Sequence, residues 1–208
     1  MTLFLLSCML SLDDGIKAVH FARMIISDAV KHEKSSFEKM PDVFDEYRGV
    51  FTTLHTYPAH LLRGCIGIPE PVMHLKQALI ESAQSVIHDP RFPVLNVTEL
   101  DRIVVEVTIL SKPEIIKSIG HKDILSQILV GRDGLIIEQG FFKGLLLPQV
   151  PIEQHWDSKT FIEQTCVKAG LPHHAWLEEE TIIKSFTGQI FSEEKPFGAV
   201  KEKTFDES

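Results

Sequence analysis

The sequence predicts an α+β protein, with helices packed on mostly antiparallel sheets in two subdomains. Three observations carry that reading. Short β-branched runs come in pairs around turn residues, as hairpins do. Three longer stretches repeat apolar residues at helical spacing. The two kinds of segment do not alternate regularly, so the parallel sheet of a βαβ fold is not expected.

The elements follow in order. Ser11 to Asp14 is a capping box opening a helix to about His32, with Ala18, Phe21, Ala22, Ile25 and Ala29 on one side. Residues 31–49 read as a polar connection. "GVFTTLHTY" and "HLLRGCIGI" read as two strands joined by a turn at Tyr57-Pro58. Pro69 and Pro71 end the second strand. A helix then carries Val72, Leu75, Leu79, Ala83 and Val86, and "HDPRFP" stops it. "DRIVVEVTIL" is a strand rich in β-branched residues. Residues 129–148 read as a hairpin turning at Arg132-Asp133-Gly134, with a third short strand after it. Asp157 or Ser158 caps a helix that stops at Gly170, and Phe161, Ile162, Cys166 and Ala169 face inward. "TIIKSFTGQIF" is a last strand, and a charged, loosely held tail is expected from Ser192. The expected division is a main subdomain of residues 1–110 with 181–208, and a smaller one of 111–180.

Composition narrows the function. Hydrophobic residues form 44% of the chain and charged residues 24%, enough for a core without a metal or disulfide staple. A net charge of −8 with no Lys/Arg run argues against phosphate-backbone binding, so no nucleic-acid partner is expected. Cys8, Cys65 and Cys166 lie far apart without CxxC spacing, which reads as reduced thiols in the cytoplasm. The apolar start "MTLFLLSCMLSL" lacks a basic n-region and is too short to span a bilayer, so no membrane partner is expected. Ten histidines show no HExxH or His-x₃-His pair, so neither a metal nor a cofactor is expected.

The candidate site is "LRGCIG", Leu62 to Gly67. Strand alternation puts Arg63, Cys65 and Gly67 on one face and Leu62, Gly64 and Ile66 on the other. Arg63 beside the thiol would favour thiolate, and Gly67 would leave a notch for a ligand. Glu106, on the polar side of the next strong strand, would pair with Arg63 and orient it. The competing reading makes Cys65 a small core residue and the two glycines packing devices. Asp89 and Arg91 in "DPRF" either aim a second guanidinium into a cleft or brace the turn. Gln149, in "GLLLPQVP", would stand at a cleft wall as the strand leaves the sheet. His55 and His60 straddle the hairpin turn, where a Cys–His dyad is open. Trp156 and Trp176 read as packing residues.

Taken in order, "LRGCIG", "DPRFP", "VVEVTIL", "VGRDGLIIE", "GLLLPQVP" and "TCVKAGLP" resemble the AMMECR domain family and cover most of residues 13–200. The resemblance implies an α+β fold of two subdomains with a cleft at the "LRGCIG" strand. It also implies a family without an established activity, whose members occur fused to or near Memo-like and radical-SAM proteins. By motif match it carries over Arg63, Gly64, Cys65 and Gly67, with Asp89 and Arg91 second. Two functions follow as expectations: an enzyme or small-ligand protein with Cys65 as its thiol, or a noncatalytic module binding a partner protein.

Overall fold

The structure, a computed structural model, describes residues 9–34, 39–117 and 121–203; Cys8 and the apolar start up to it lie outside them. The helices are α1 (Leu12–Lys31), α2 (Leu75–Ser85), α3 (His121–Gln127), α4 (Gln149–Glu153) and α5 (Ser158–Lys168). The strands are β1 (Val50–Thr56), β2 (Leu62–Ile68), β3 (Ile103–Leu110), β4 (Glu114–Ile115), β5 (Asp133–Gln139), β6 (Phe142–Leu146), β7 (Ile182–Glu193) and β8 (Val200–Lys203). Among the described residues the chain forms two compact units. One runs to Ser111 and resumes at Gln189; the other is Lys112–Gly188, so the boundary falls inside β7.

In the first unit the strand order is β2–β1–β3–β7, with β8 also on β7. The helices on its inner face follow from local chemistry. Ser11 Oγ accepts from the backbone N–H of Asp14 and donates to the Asp14 carboxylate, which fixes the start of α1. His32, in the left-handed conformation, ends it by donating to Ala29. Between these caps Ala18, Val19, Ala22, Ile25 and Ile26 are buried, as their spacing requires. They join Leu75 and Leu79 of α2 over Leu54, Val105 and Val107 of the sheet. One polar contact interrupts this layer, where Thr52 Oγ1 and Ser82 Oγ lie 2.8 Å apart and satisfy each other.

The second unit is built around the β5–β6 hairpin, with the first half of β7 on the other side of β5. Phe161, Ile162 and Cys166 of α5 pack with Leu135, Ile137, Ile183 and Trp176, and Trp156 lies against the cluster. Both tryptophans are therefore packing residues. Gly144 is required here, because a Cβ would lie 2.3 Å from the backbone nitrogen of Ala169.

Three expectations change. The hairpin does not turn at Arg132-Asp133-Gly134: Asp133 already begins β5, and its carboxylate accepts from Leu129 N–H and from Arg132. The turn is Gly140-Phe141, where Gly140 takes φ 57°. "PQVP" is helical rather than a departing strand, with Gln149 opening α4. Nor is the tail from Ser192 loose: β7 continues to Glu193, and Val200–Lys203 returns beside it as β8.

Gly144→Ala is expected to destabilise the protein by about 1–3 kcal/mol, because backbone has no rotamer with which to yield. The urea midpoint reads it. An unchanged midpoint would mean that α5 does not sit on β6 this closely.

Candidate functional site

β2 is the edge strand of its sheet, and an edge leaves backbone groups unpaired. Cys65 carries one such N–H and C=O. Asp89 Oδ2 accepts from the Cys65 N–H at 2.8 Å, and an Arg91 nitrogen donates to the Cys65 carbonyl at 2.9 Å. Arg91 also grips Asp89 through two guanidinium nitrogens and its own backbone N–H. "DPRF" is thus a turn that caps a sheet edge with one carboxylate and one guanidinium.

Arg63 is not beside the thiol. The β1–β2 register passes from Leu54↔Gly64 to His55↔Leu62, so Arg63 is the extra residue of a β-bulge and the alternation breaks there. Its guanidinium holds Glu99 at 2.7 Å and donates to the Pro93 carbonyl. Glu99 also accepts from Asn96 N–H in the capping box of the following turn. The two arginines converge only on the Phe92 ring, 5.9 and 5.6 Å from its centre. Gly67 leaves no open notch either: the Phe51 ring lies 2.2 Å from where a Cβ would stand. Gly64 serves the opposite face, where Val86 comes within 3.1 Å of the same position.

Strand pairing does align the thiol with other polar groups. Cys65 stands opposite Thr53, and Thr53 opposite Glu106, about 4.8 Å from strand to strand. This row faces away from α1 and α2. Thr53 Oγ1 donates to Cys65 Sγ at 3.2 Å. Glu106 pairs with Lys203 of β8 at 2.9 Å rather than with Arg63; both side chains are under 8% exposed. Lys203 Nζ lies 3.2 Å from His60 Nε2, and the His60 ring stacks on His55 at 4.3 Å. His55 Nδ1 is buried without a hydrogen-bond partner. The cluster is therefore Cys65, Thr53, Glu106, Lys203, His60 and His55. Thr53 and Lys203 were missed by the sequence reading. Period-2 counting from His55 would have found Thr53, whereas the tail holding Lys203 gave no strand signal strong enough to place it.

The AMMECR1 family model matches residues 19–191. Protein MJ0810 of Methanocaldococcus jannaschii is 52% identical over 196 residues, which cover 94% of this chain and 98% of that protein. Protein PH0010 of Pyrococcus horikoshii is 45% identical over 191 residues, covering 89% and 92%. The crystal structure of PH0010, an uncharacterized protein, matches with a TM-score of 0.77 at 43% identity, over 92% of this chain and 97% of that one. This chain belongs to the AMMECR1 family.

Electrostatics separates the parts of this AMMECR1 site. Burial pushes the Cys65 thiol above the usual cysteine range, against the Thr53 hydrogen bond and the Arg91 charge. The arginine expected to favour a thiolate, Arg63, is turned to Glu99, and burial outweighs the help that the Arg91 charge gives. Hydrogen bonds from Arg91, joined by the Cys65 and Arg91 backbone N–H groups, hold Asp89 well below the usual carboxylate range despite burial. Burial is the largest single influence on Glu99 and works against its charge, but the Arg63 hydrogen bond, the Asn96 N–H and the Arg63 charge together outweigh it and the net shift is downward. Burial lowers His55, helped by the charges of His60 and Lys203 and opposed by Glu106, so this imidazole is neutral at pH 7.

Gln149 belongs to the other unit, where its Oε1 is buried without a partner. Among the described residues no three His, Cys, Asp or Glu side chains lie close enough to hold a metal, and no helix is long and apolar enough to cross a membrane.

Asp89→Ala in this AMMECR1 chain is expected to cost about 1–3 kcal/mol, since it strands the Cys65 N–H, while the half-exposed Arg91 guanidinium returns to water. Because Asp89 is depressed when folded, its contribution is present above about pH 4 and fades as pH falls through the folded value. Urea midpoints of Asp89→Asn and the parent should accordingly converge in acid. A constant gap down to pH 2 would contradict the edge cap.

Proposed function

We propose that the Cys65 face of the first unit's sheet is a small-molecule site, of an enzyme or a ligand-binding protein, with Cys65 as the thiol that meets the ligand. The observation that carries this reading is the Glu106–Lys203 pair, buried on the same face and coupled to His60. Removing two charges from water costs several kcal/mol per ion, and an apolar pair would stabilise a fold as well or better. Cys65 and His55, both shifted by burial, lie on the same face, and shifted groups gathered in one place are a frequent mark of function.

The chemistry differs from that of an arginine-activated thiolate. Cys65 holds its proton at neutral pH, so reaction at sulfur requires a base. His60 Nε2 is engaged by Lys203, whereas His55 is neutral and its Nδ1 is unengaged. His55 projects from the same face of β1 as Thr53, about 7 Å along the strand, beyond direct reach of the sulfur, so it is our candidate proton acceptor only through a bridging water or the ligand itself. Thr53 positions the sulfur, and Glu106 with Lys203 sets the local field. Arg63, Gly64, Gly67, Asp89 and Arg91 shape the strand; of these, Arg91, with 55% of its side chain exposed, retains access to a ligand anion. Cys65 and Cys166 are free thiols, which supports a cytoplasmic setting.

A second reading, a protein-interaction module with a structural Cys65, is favoured by one observation. Tyr57, Leu61 and Leu62 are exposed around the hairpin turn, Leu61 at 65%.

Peptide-resolved iodoacetamide labelling distinguishes the two. Cys65 should react in the native protein, with a rate that rises through a midpoint above the roughly 8.5 of a free thiol. Thr53→Val should move that midpoint higher and slow labelling at pH 8 several-fold, while Cys166 reacts only on unfolding. Labelling of Cys65 only after denaturation would refute the small-molecule site and leave the interaction module.

A further inference from the structure

Three ion pairs surround the Cys65 strand, and their members are covered unequally. Glu106 and Lys203 are 6% and 7% exposed, and Glu99 and Arg63 are 26% and 11%. Asp89 is 1% exposed, whereas its partner Arg91 is 55%. The three pairs sum to zero charge, yet of these six groups only Arg91 stands more than half in solvent. A molecule approaching the strand edge therefore meets a guanidinium whose carboxylate is hidden from it. Charge placed in this way favours an anion and orients it.

The edge has donors left for such an anion. Arg91 uses Nε and Nη2 on Asp89 and on the Cys65 carbonyl, while its Nη1 makes no hydrogen bond among the described residues. Gly67 adds a second donor. Because the Cys65 N–H and C=O turn outward to Asp89 and Arg91, Thr53 and Cys65 form a non-hydrogen-bonded pair. The register continues unbroken from there to Val50↔Ile68, so Phe51 and Gly67 pair in the same way and the Gly67 N–H also points out from the edge. It has no partner among the described residues. Along the edge it is the next outward donor after the carbonyl that Arg91 holds. A guanidinium and a backbone N–H side by side suit the two oxygens of a carboxylate. The Arg91 charge also favours the ionised form of the Cys65 sulfur, which puts the two within electrostatic reach of each other.

We infer that the Cys65 face, on the small-molecule reading proposed above, takes a small carboxylic acid. Its carboxylate lies on Arg91 Nη1 and the Gly67 N–H, and the carbon next to the carboxylate meets the sulfur.

Iodoacetate has both features, and iodoacetamide is its uncharged counterpart. With either, the sulfur forms a bond to carbon, iodide leaves and the thiol proton passes to solvent. The ratio of the two rates at Cys65 is read by peptide-resolved mass spectrometry in the native protein, and again in urea, where Cys65 is an ordinary thiol. The native ratio, iodoacetate over iodoacetamide, should exceed the unfolded one by about tenfold, as one charge-assisted hydrogen bond would give. Sodium acetate should protect Cys65 from iodoacetate, and sodium chloride at the same ionic strength should not. Arg91→Gln should return the ratio to its unfolded value; its effect on ionisation of the thiol slows both reagents and cancels. Should that variant fail to fold, the parent ratio and the acetate protection still decide. A native ratio within twofold of the unfolded one, or equal protection by chloride, would overturn the carboxylate and leave the thiol site standing. If neither reagent labels native Cys65, the small-molecule site fails and the acid with it.

Discussion

Two charges on the outer face of the first sheet have no water to themselves, and much of the local architecture answers to that constraint. Glu106, in the middle of β3, is enclosed and needs a cation. Lys203 supplies it from the end of β8, which ties the chain's last described strand to the third. The same ammonium reaches His60, which orders the β1–β2 turn and stacks on His55. One ion pair thus links three segments far apart in sequence. Thr53 and Cys65 complete the row on the adjacent strands.

The motif residues around that row divide the work differently than their clustering suggests. Gly64 and Gly67 admit Val86 on one face and Phe51 on the other, so the edge strand is gripped from both sides. Asp89 and Arg91 close the edge at Cys65. A thiol held this firmly, with its backbone and its sulfur both hydrogen-bonded, is placed rather than activated. Burial favours its protonated form, so in the proposed site a base would have to be supplied, and the histidines are the groups on this face that could serve.

The sequence made the periodic parts legible. The α1 caps and apolar stripe, the β-branched run of β3 and the Asp157 cap of α5 each state their structure locally, and the structure agrees. It also made the Cys65 strand visible as a candidate. What it hid was set by pairing. The bulge at Arg63 depends on how β2 meets β1, and it turns one side chain away from the face that strict alternation assigns. The filling of Gly67 by Phe51 needs a residue on the neighbouring strand. Lys203 lies in a stretch of alternating charge with almost no apolar signal, and only its pairing with β7 makes it a strand.

The central claim is that the thiol and the ion pair form one electrostatic unit. The most direct test follows the ¹³Cβ resonance of Cys65 against pH in the parent and in Glu106→Gln. The account predicts a parent midpoint above that of an ordinary cysteine. It also predicts a lower midpoint in the variant, because a negative charge is removed and the Lys203 ammonium is left uncompensated. A midpoint that Glu106→Gln leaves in place would show that the sulfur does not sense the pair, and would separate Cys65 from the cluster on which the site is built.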